Sequence, residues 1–309
     1  MVSGAADARE HKNEPLKTKG AIIMSIVVTG ATGQLGRLVI DELLERVPAD
    51  QVVAVVRNAA KATDLAERGV ELRIADYTAP ETLDGVFQAG DRVLLISSNA
   101  MEENTAQHAA VVDAAVKANV ALLAYTSVLG GAAATFRIAA HHAATEELIL
   151  ASGLPHVFLR NGWYNENYSG NIGFVLKSGI VMGSAGEGRI ASASRADYAA
   201  AAAAVLTGEG EDGRSVYELS GDEAWTLADL AAEVSRQTGR EIAYRDLTAA
   251  RYSQIMADAG VPVRDAESVA DADLGIARGE LAAVTGDLRR LIGRPTTTIA
   301  DSIAAALKN

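Results

Sequence analysis

The chain of 309 residues contains no cysteine. That excludes a disulfide framework, a thiolate nucleophile and a cysteine-ligated zinc site, and it fits a reducing cytoplasm. Proline is scarce, with 6 residues, and aromatic side chains make up only 5%. Basic residues are in the minority, 28 against 40 acidic for a net charge of −12. Such a chain repels phosphate backbones, which excludes general nucleic-acid binding. No charge-free apolar run reaches the ~18 residues of a membrane-spanning helix. The apolar stretch Ala199–Leu206 is too short to span and reads as a buried helix. The five histidines show no zinc spacing. His141 and His142 are adjacent, so on a helix they diverge by about 100°, and no metal site is expected. Neither a G-x-S-x-G elbow nor a P-loop lysine occurs.

What is present is an ordinary globular mix, 49% hydrophobic and 22% charged, long enough to bury a large core. Residues 1–23 are polar, mixed in charge and lack the apolar core of a secretory signal, so they read as a disordered extension, with Met24 opening the fold. Short β-branched runs then alternate with helical periodicity. Strands are expected at 25–29, 51–56, 70–75, 91–97, 121–126 and 155–159. Helices are expected at 34–46, 59–68, 80–87, 103–118 and 139–152. Several strands are apolar on both faces, which calls for an α/β fold with a doubly wound (Rossmann) parallel sheet. The rhythm loosens after Arg160. Residues 24–160 are expected to form the dinucleotide-binding domain, and 161–309 a smaller α/β substrate domain that returns a strand or helix to the sheet. Helices are expected there at 196–206, 226–238, 249–260 and 299–307, with strands near 216–219 and 242–244.

Gly30-Ala31-Thr32-Gly33-Gln34-Leu35-Gly36 follows the first strand and opens the first helix. Gly30 permits the sharp turn, Gly33 lets backbone approach a pyrophosphate, and Gly36 allows close helix–strand contact. The helix start then offers free N–H groups to the phosphates, including those of Thr32, Gln34 and Leu35. An NAD-selective site puts an acid at the end of the second strand. Here Arg57 stands there, 21 residues past Gly36. A guanidinium suits a 2′-phosphate, which favours NADPH over NADH; the plainer reading is a solvated strand-end arginine. Asp76, followed by Tyr77, meets either the adenine amino group or its own turn. Ser97, Ser98 and Asn99 end the fourth strand, and Tyr125, Thr126 and Ser127 the fifth, on the same crevice edge.

The segment from Arg160 to Tyr168 concentrates aromatic and amide groups, as a small-molecule pocket requires. Trp163, Tyr164 and Tyr168 are candidate pocket walls, although a buried aromatic anchor would read the same way. Asn161, Tyr164, Tyr125 and His142 are candidate catalytic groups. His142, Thr145 and Glu146 fall on one helix face toward the crevice, and a structural histidine is the alternative for His142.

The stretches T-G-A-T-G-Q-L-G (29–36), V-R-N (56–58), A-D-Y (75–77), L-L-I-S-S (94–98), A-Y-T-S (124–127), L-R-N-G-W-Y-N-E-N-Y (159–168) and I-A-S-A-S-R-A-D-Y (190–198) resemble the NmrA-like branch of the atypical short-chain dehydrogenase/reductases, and the likeness runs over nearly all of 24–308. The resemblance implies an NADPH-dependent oxidoreductase that reduces a small-molecule quinone by two electrons. One departure stands out: no tyrosine is followed four residues on by lysine, the pair usual in the wider superfamily. Hydride addition to a quinone leaves a weakly basic phenolate-type oxygen, for which hydrogen bonds from Asn161, Tyr164 or Tyr125 suffice, whereas a simple ketone would leave a strong base. Two alternatives remain. One is reduction of a dye cation, imine or activated alkene. The other is a non-catalytic NADP(H)-binding redox sensor. No membrane or nucleic-acid partner is expected. Folds of this kind often form homodimers through helices flanking the sheet, and the sequence does not mark such a face.

Overall fold

The computed structural model describes residues 24–98, 103–209 and 212–308; the proposed extension 1–23 and Asn99 lie outside the described residues. The chain opens β1 (Ile26–Val28), α1 (Gln34–Leu44), β2 (Val52–Val56), α2 (Thr63–Glu67), β3 (Glu71–Ile74), β4 (Arg92–Leu95), α3 (Asn104–Ala118), β5 (Leu122–Val128), α4 (Arg137–Ser152) and β6 (His156–Asn161). It continues through α5 (Glu166–Ser169), α6 (Ile172–Ser178), β7 (Ile180–Gly183), β8 (Arg189–Ile190), α7 (Arg195–Thr207), β9 (Val216–Leu219), β10 (Trp225–Thr226), α8 (Leu227–Thr238), β11 (Ala243–Asp246), α9 (Ala249–Asp258), α10 (Val263–Ala277), α11 (Asp287–Ile292) and α12 (Ile299–Ala306).

Seven strands form one parallel sheet in the order β3-β2-β1-β4-β5-β6-β9. The order reverses between β1 and β4, so the crevice for a ligand opens beyond their carboxyl ends. This is the doubly wound α/β sheet that the sequence predicts. The valine-rich β1 and β2 are buried along their whole length, and each such side chain withdrawn from water is worth about 1.5–3 kcal/mol. On one face α1 and α7 bury Val39, Ile40, Leu43 and the alanines of α7. On the other, α3 and α4 bury Val111, Ala115 and Ile149. The alanine helix α7 is buried at every position from Asp197 to Leu206, as the sequence implies. Within 161–309, α7 lies against α1 and β9 pairs with β6, while β7, β8, β10, β11 and their helices build a separate core around Val181, Ile190, Trp225 and Leu230.

Two helices expected from periodicity are shorter or broken. Residues 59–68 divide into a 3-10 turn and α2, because Asn58 caps Ala60 and Ala62 then leaves helical geometry at φ −132°. Residues 80–87 form only a 3-10 turn at Pro80–Leu83, ended by extended Asp84 and by Gly85 at φ +76°.

Candidate active site

The loop between β1 and α1 has the shape a pyrophosphate requires. Gly30 sits at φ +59°, a conformation that favours glycine. The Gly33 amide donates to Gly30 O at 2.9 Å, tightening the turn. A Cβ at Gly36 would fall 2.4 Å from Gly30 O, so only glycine lets α1 approach the loop this closely. Helix α1 starts with no side-chain cap and no acid in its first turn, which leaves its first N–H groups and positive end for an anion. Gly33 and Gln34 are exposed and Thr32 is half-buried, but the Leu35 side chain belongs to the core; only its amide can serve a phosphate. Arg57 is exposed at the end of β2 and forms no ion pair with a described residue. These features fit a dinucleotide carrying a 2′-phosphate.

The remaining groups expected at the cofactor are mostly engaged by the protein. Asp76 Oδ1 accepts from the Thr78 amide and hydroxyl, and these bonds, together with Arg57 nearby, hold its carboxyl below the usual range. The turn reading of Asp76 is therefore realised for one oxygen. The Tyr77 hydroxyl is buried without a partner, close to Thr29 and Gly30, and burial pushes it up to about 12. It supports the loop from below. The Ser97 amide donates to Thr126 Oγ1, and Ser127 Oγ donates to Glu146.

Histidine 108, absent from the sequence candidates, fixes the loop after β4. The Ser98 amide donates to His108 Nε2 at 3.0 Å, so the ring proton sits on Nδ1 and is donated to Thr145 Oγ1 at 2.9 Å. The Thr145 hydroxyl in turn donates to His141 O. Burial lowers the His108 pKa to about 3, which matches a neutral ring with both nitrogens occupied. Asn104 and Gln107 hold Ser98 from the same helix face. The signal for this set is the helical spacing of residues 104, 107 and 108, readable once Ser98 is known to be opposite.

As predicted, His142, Thr145 and Glu146 share one face of α4. His142 Nδ1 meets the Tyr125 hydroxyl at 2.8 Å. Tyr125 is fully buried, and burial raises its phenol far above the ordinary value. His142 is half-buried, and burial lowers it to about 4, leaving a neutral imidazole at pH 7. Beneath them Arg160 forks onto Glu146 at 2.6 and 2.9 Å and reaches Glu218 at 2.8 Å.

Asn161 Nδ2 donates to the Tyr164 hydroxyl at 3.3 Å, while its Oδ1, in a residue only 5% exposed, has no partner. The four candidate catalytic groups do not converge. Ser127 lies beside Arg160 in the β5–β6 register, and both side chains reach Glu146 on the α4 face. Tyr125 shares that face, whereas the next residue, Asn161, points the other way. Tyr164 packs there, edge-on to Tyr198 of α7 at 5.3 Å. Tyr125–His142 and Asn161–Tyr164 are thus two pairs on opposite faces of the sheet. Trp163 stands edge-on to Phe136, just before α4, at 6.4 Å and Tyr168 edge-on to Trp225 at 4.9 Å. Both belong to the second core. Among the described residues no group of three or more His, Asp or Glu side chains gathers to hold a metal ion. No helix among them is long and apolar enough to cross a membrane.

A dinucleotide cradle at the switch point of a parallel sheet defines the class. A family profile described as NAD(P)H-binding matches residues 30–209, and the chain belongs to that NAD(P)H-binding family. It is 45% identical to quinone oxidoreductase 2 of Escherichia coli (strain K12) over 279 residues, 90% of this chain and 97% of that protein. The crystal structure of the E. coli NADPH-dependent quinone oxidoreductase QOR2 with NADPH is similar at a TM-score of 0.88 and 44% identity, covering 92% of this chain and all of that one (100%). The triphenylmethane reductase of Citrobacter sp. complexed with NADP(H) is similar at 0.86 and 37% identity, covering 91% of this chain and 100% of that one.

Proposed function

We propose that the protein is an NADPH-dependent oxidoreductase that transfers a hydride to a quinone and releases the hydroquinone. The observation that carries this reading is Arg57, exposed and in no ion pair with a described residue, beside an intact dinucleotide cradle, in a chain 45% identical to a quinone oxidoreductase over almost that protein's full length. NADPH, when bound, supplies the hydride. Gly30–Gly36 and the start of α1 hold its pyrophosphate, and Arg57 holds the 2′-phosphate. Trp163 walls the acceptor side. His142, backed by Tyr125, donates a hydrogen bond to the quinone oxygen as negative charge builds there, and the proton that completes the hydroquinone comes from water. Asn161 and Tyr164, on the other face, shape the turn that carries Trp163. A cysteine-free, acidic protein of this kind suits a cytoplasmic role on a diffusing quinone.

The test is the loss of nicotinamide absorbance with purified protein, NADPH or NADH, and 2-methyl-1,4-naphthoquinone. Quinone-dependent loss with NADPH is the expected result. Consumption with triarylmethane dyes and not with quinones would move the acceptor class. Tight NADPH binding with no consumption would make the protein a sensor.

Two variants refine the assignment. Arg57→Glu should raise the KM for NADPH by about 100-fold through loss of a charge-assisted contact and gain of repulsion, while the KM for NADH stays within a few-fold. Parallel KM measurements with the two nucleotides read this directly, and equal changes for both would remove the 2′-phosphate role. His142→Ala should lower kcat by roughly 100-fold, the lower range for loss of one hydrogen-bond donor to a developing oxyanion, with NADPH affinity retained. Unchanged turnover in single-turnover mixing would take His142 out of the chemistry.

A further inference from the structure

The segment that leaves β4 borders the crevice at the switch point, and it is held in a way that the proposed reaction does not use. Three consecutive backbone amides there each donate to a side chain from a different part of the fold. Ile96 N donates to Thr29 Oγ1 at 3.1 Å, Ser97 N to Thr126 Oγ1 at 2.9 Å and Ser98 N to His108 Nε2 at 3.0 Å. Backbone donors withdrawn from water must find a partner, and here protein side chains supply all three. This rim therefore has its shape before any ligand arrives.

Thr29 follows β1 and Thr126 lies in β5, so these two tie the rim within the sheet. His108 ties it elsewhere. This residue of α3 is fully buried, so bulk water cannot stand in for either ring nitrogen. Its Nδ1 donates to Thr145 Oγ1 on α4 at 2.9 Å. Its ring also lies edge-on to Tyr125, with centroids 5.5 Å apart, and the Tyr125 hydroxyl meets His142 Nδ1 at 2.8 Å. Thr145 is three residues past His142, on the same face of α4. One imidazole thus meets the rim with one nitrogen, the helix that carries His142 with the other, and the phenol behind His142 with its ring.

We propose that His108 is a positioning residue that joins the rim beside the nucleotide to the Tyr125–His142 pair, and so fixes the two halves of the reaction relative to each other. Hydride transfer needs donor and acceptor nearly in contact, and a displacement of about 1 Å caused by a change outside the chemistry can cost ~100-fold in rate. A neutral imidazole suits such a joint because it is rigid, accepts at one nitrogen and donates at the other. This inference rests on the quinone-reductase reading.

The two ring nitrogens can be separated by substitution. In His108→Asn the side-chain amide reaches only the place of Nδ1, so it still donates to Thr145 but leaves the Ser98 amide without an acceptor. In His108→Gln the longer side chain brings its amide oxygen to the place of Nε2, so it serves Ser98 and abandons Thr145. His108→Asn should raise the KM and the dissociation constant for NADPH by about tenfold, with kcat within about threefold of wild type. His108→Gln should do the reverse, lowering kcat by about tenfold with NADPH affinity within about threefold. Thr145→Val loses the same bond, keeps the shape of the helix face and should follow His108→Gln. A merely structural role would lower the melting point and move kcat and KM together in all three variants. That pattern, or wild-type kinetics in all three, overturns the inference. Hydrogen exchange at the Ser98 amide of the nucleotide-free proteins gives a readout that needs no turnover. Protection there should fall by about tenfold in His108→Asn and persist in His108→Gln. Exchange and NADPH affinity that divide in this way while no quinone is consumed support the joint and count against the reductase reading alone. Equal protection in the two His108 variants overturns the inference whatever the turnover.

Discussion

Replacement of Gly36 by alanine is expected to raise the dissociation constant for NADPH by at least about 100-fold, since two or more charge-assisted hydrogen bonds to phosphate would be lost. The added Cβ would sit 2.4 Å from Gly30 O and 2.9 Å from Ala31 Cα, both backbone atoms that no side-chain rotation can move aside. Either α1 shifts away from β1 or the loop opens, and each displaces the amides that face the pyrophosphate. Gly33→Ala provides the contrast, because its Cβ would meet only Gly30 O, at 3.1 Å. Its affinity should fall by about tenfold, the loss of one such contact. Titration of NADPH fluorescence measures both. Wild-type affinity in Gly36→Ala would mean that the nucleotide phosphates bind elsewhere.

Arg160→Met should give the largest loss of stability. Among the described residues the guanidinium is the only cation held between Glu146, which is 5% exposed, and Glu218, and it presses against the backbone at Gly131. Its two acidic neighbours hold it even more firmly charged than usual. Removing one partner of a buried ion pair costs about 3–5 kcal/mol, because the other charge is left uncompensated. Calorimetry should therefore show a melting point lower by roughly 10 °C, at a few degrees per kcal/mol. Arg160→Lys should recover only part of the deficit. A single ammonium cannot fork onto Glu146 and reach Glu218 at the same time. A melting point within 2–3 °C of wild type in Arg160→Met, about what 1 kcal/mol would shift, would show that the triad is a neutral ornament of the fold.

Much of this architecture is legible in the sequence, for identifiable reasons. The runs I-V-V and V-V-A-V-V can only be central strands of a covered sheet, and the glycine spacing after the first strand matches the turn it must make. Helix α10 leaves only a weak pattern because, Ile276 apart, its buried positions are Ala266, Ser268, Ala270, Ala272, Asp273 and Gly275. These residues carry little hydrophobic signal, yet they fit a helix that lies close against Phe136. The pairing of the catalytic candidates is not legible in the sequence. Whether Tyr125 and Asn161 share a face depends on a one-residue register between β5 and β6, and a shift by one reverses every side chain. The role of His108 is hidden for a related reason. Its partner is a backbone amide at the end of β4, 10 residues away, and no residue-type pattern announces such a bond.

The position of β9 also bears on how the chain acquires its shape. This seventh strand pairs with β6, but 54 residues separate Asn161 from Val216, and they include the second core's first elements as well as α7. Until residue 219 has left the ribosome, β6 is an unpaired edge carrying Val157, Phe158 and Leu159, the kind of edge that templates wrong partners. The sheet is therefore completed only after the second core's first elements and α7 have been synthesised. Loop closure across that distance must precede the reward of pairing, which slows folding relative to a protein of local contacts. A fragment ending near residue 160 would retain every nucleotide-facing loop of the first five strands and still expose that edge, so aggregation is the expected fate of such a truncation.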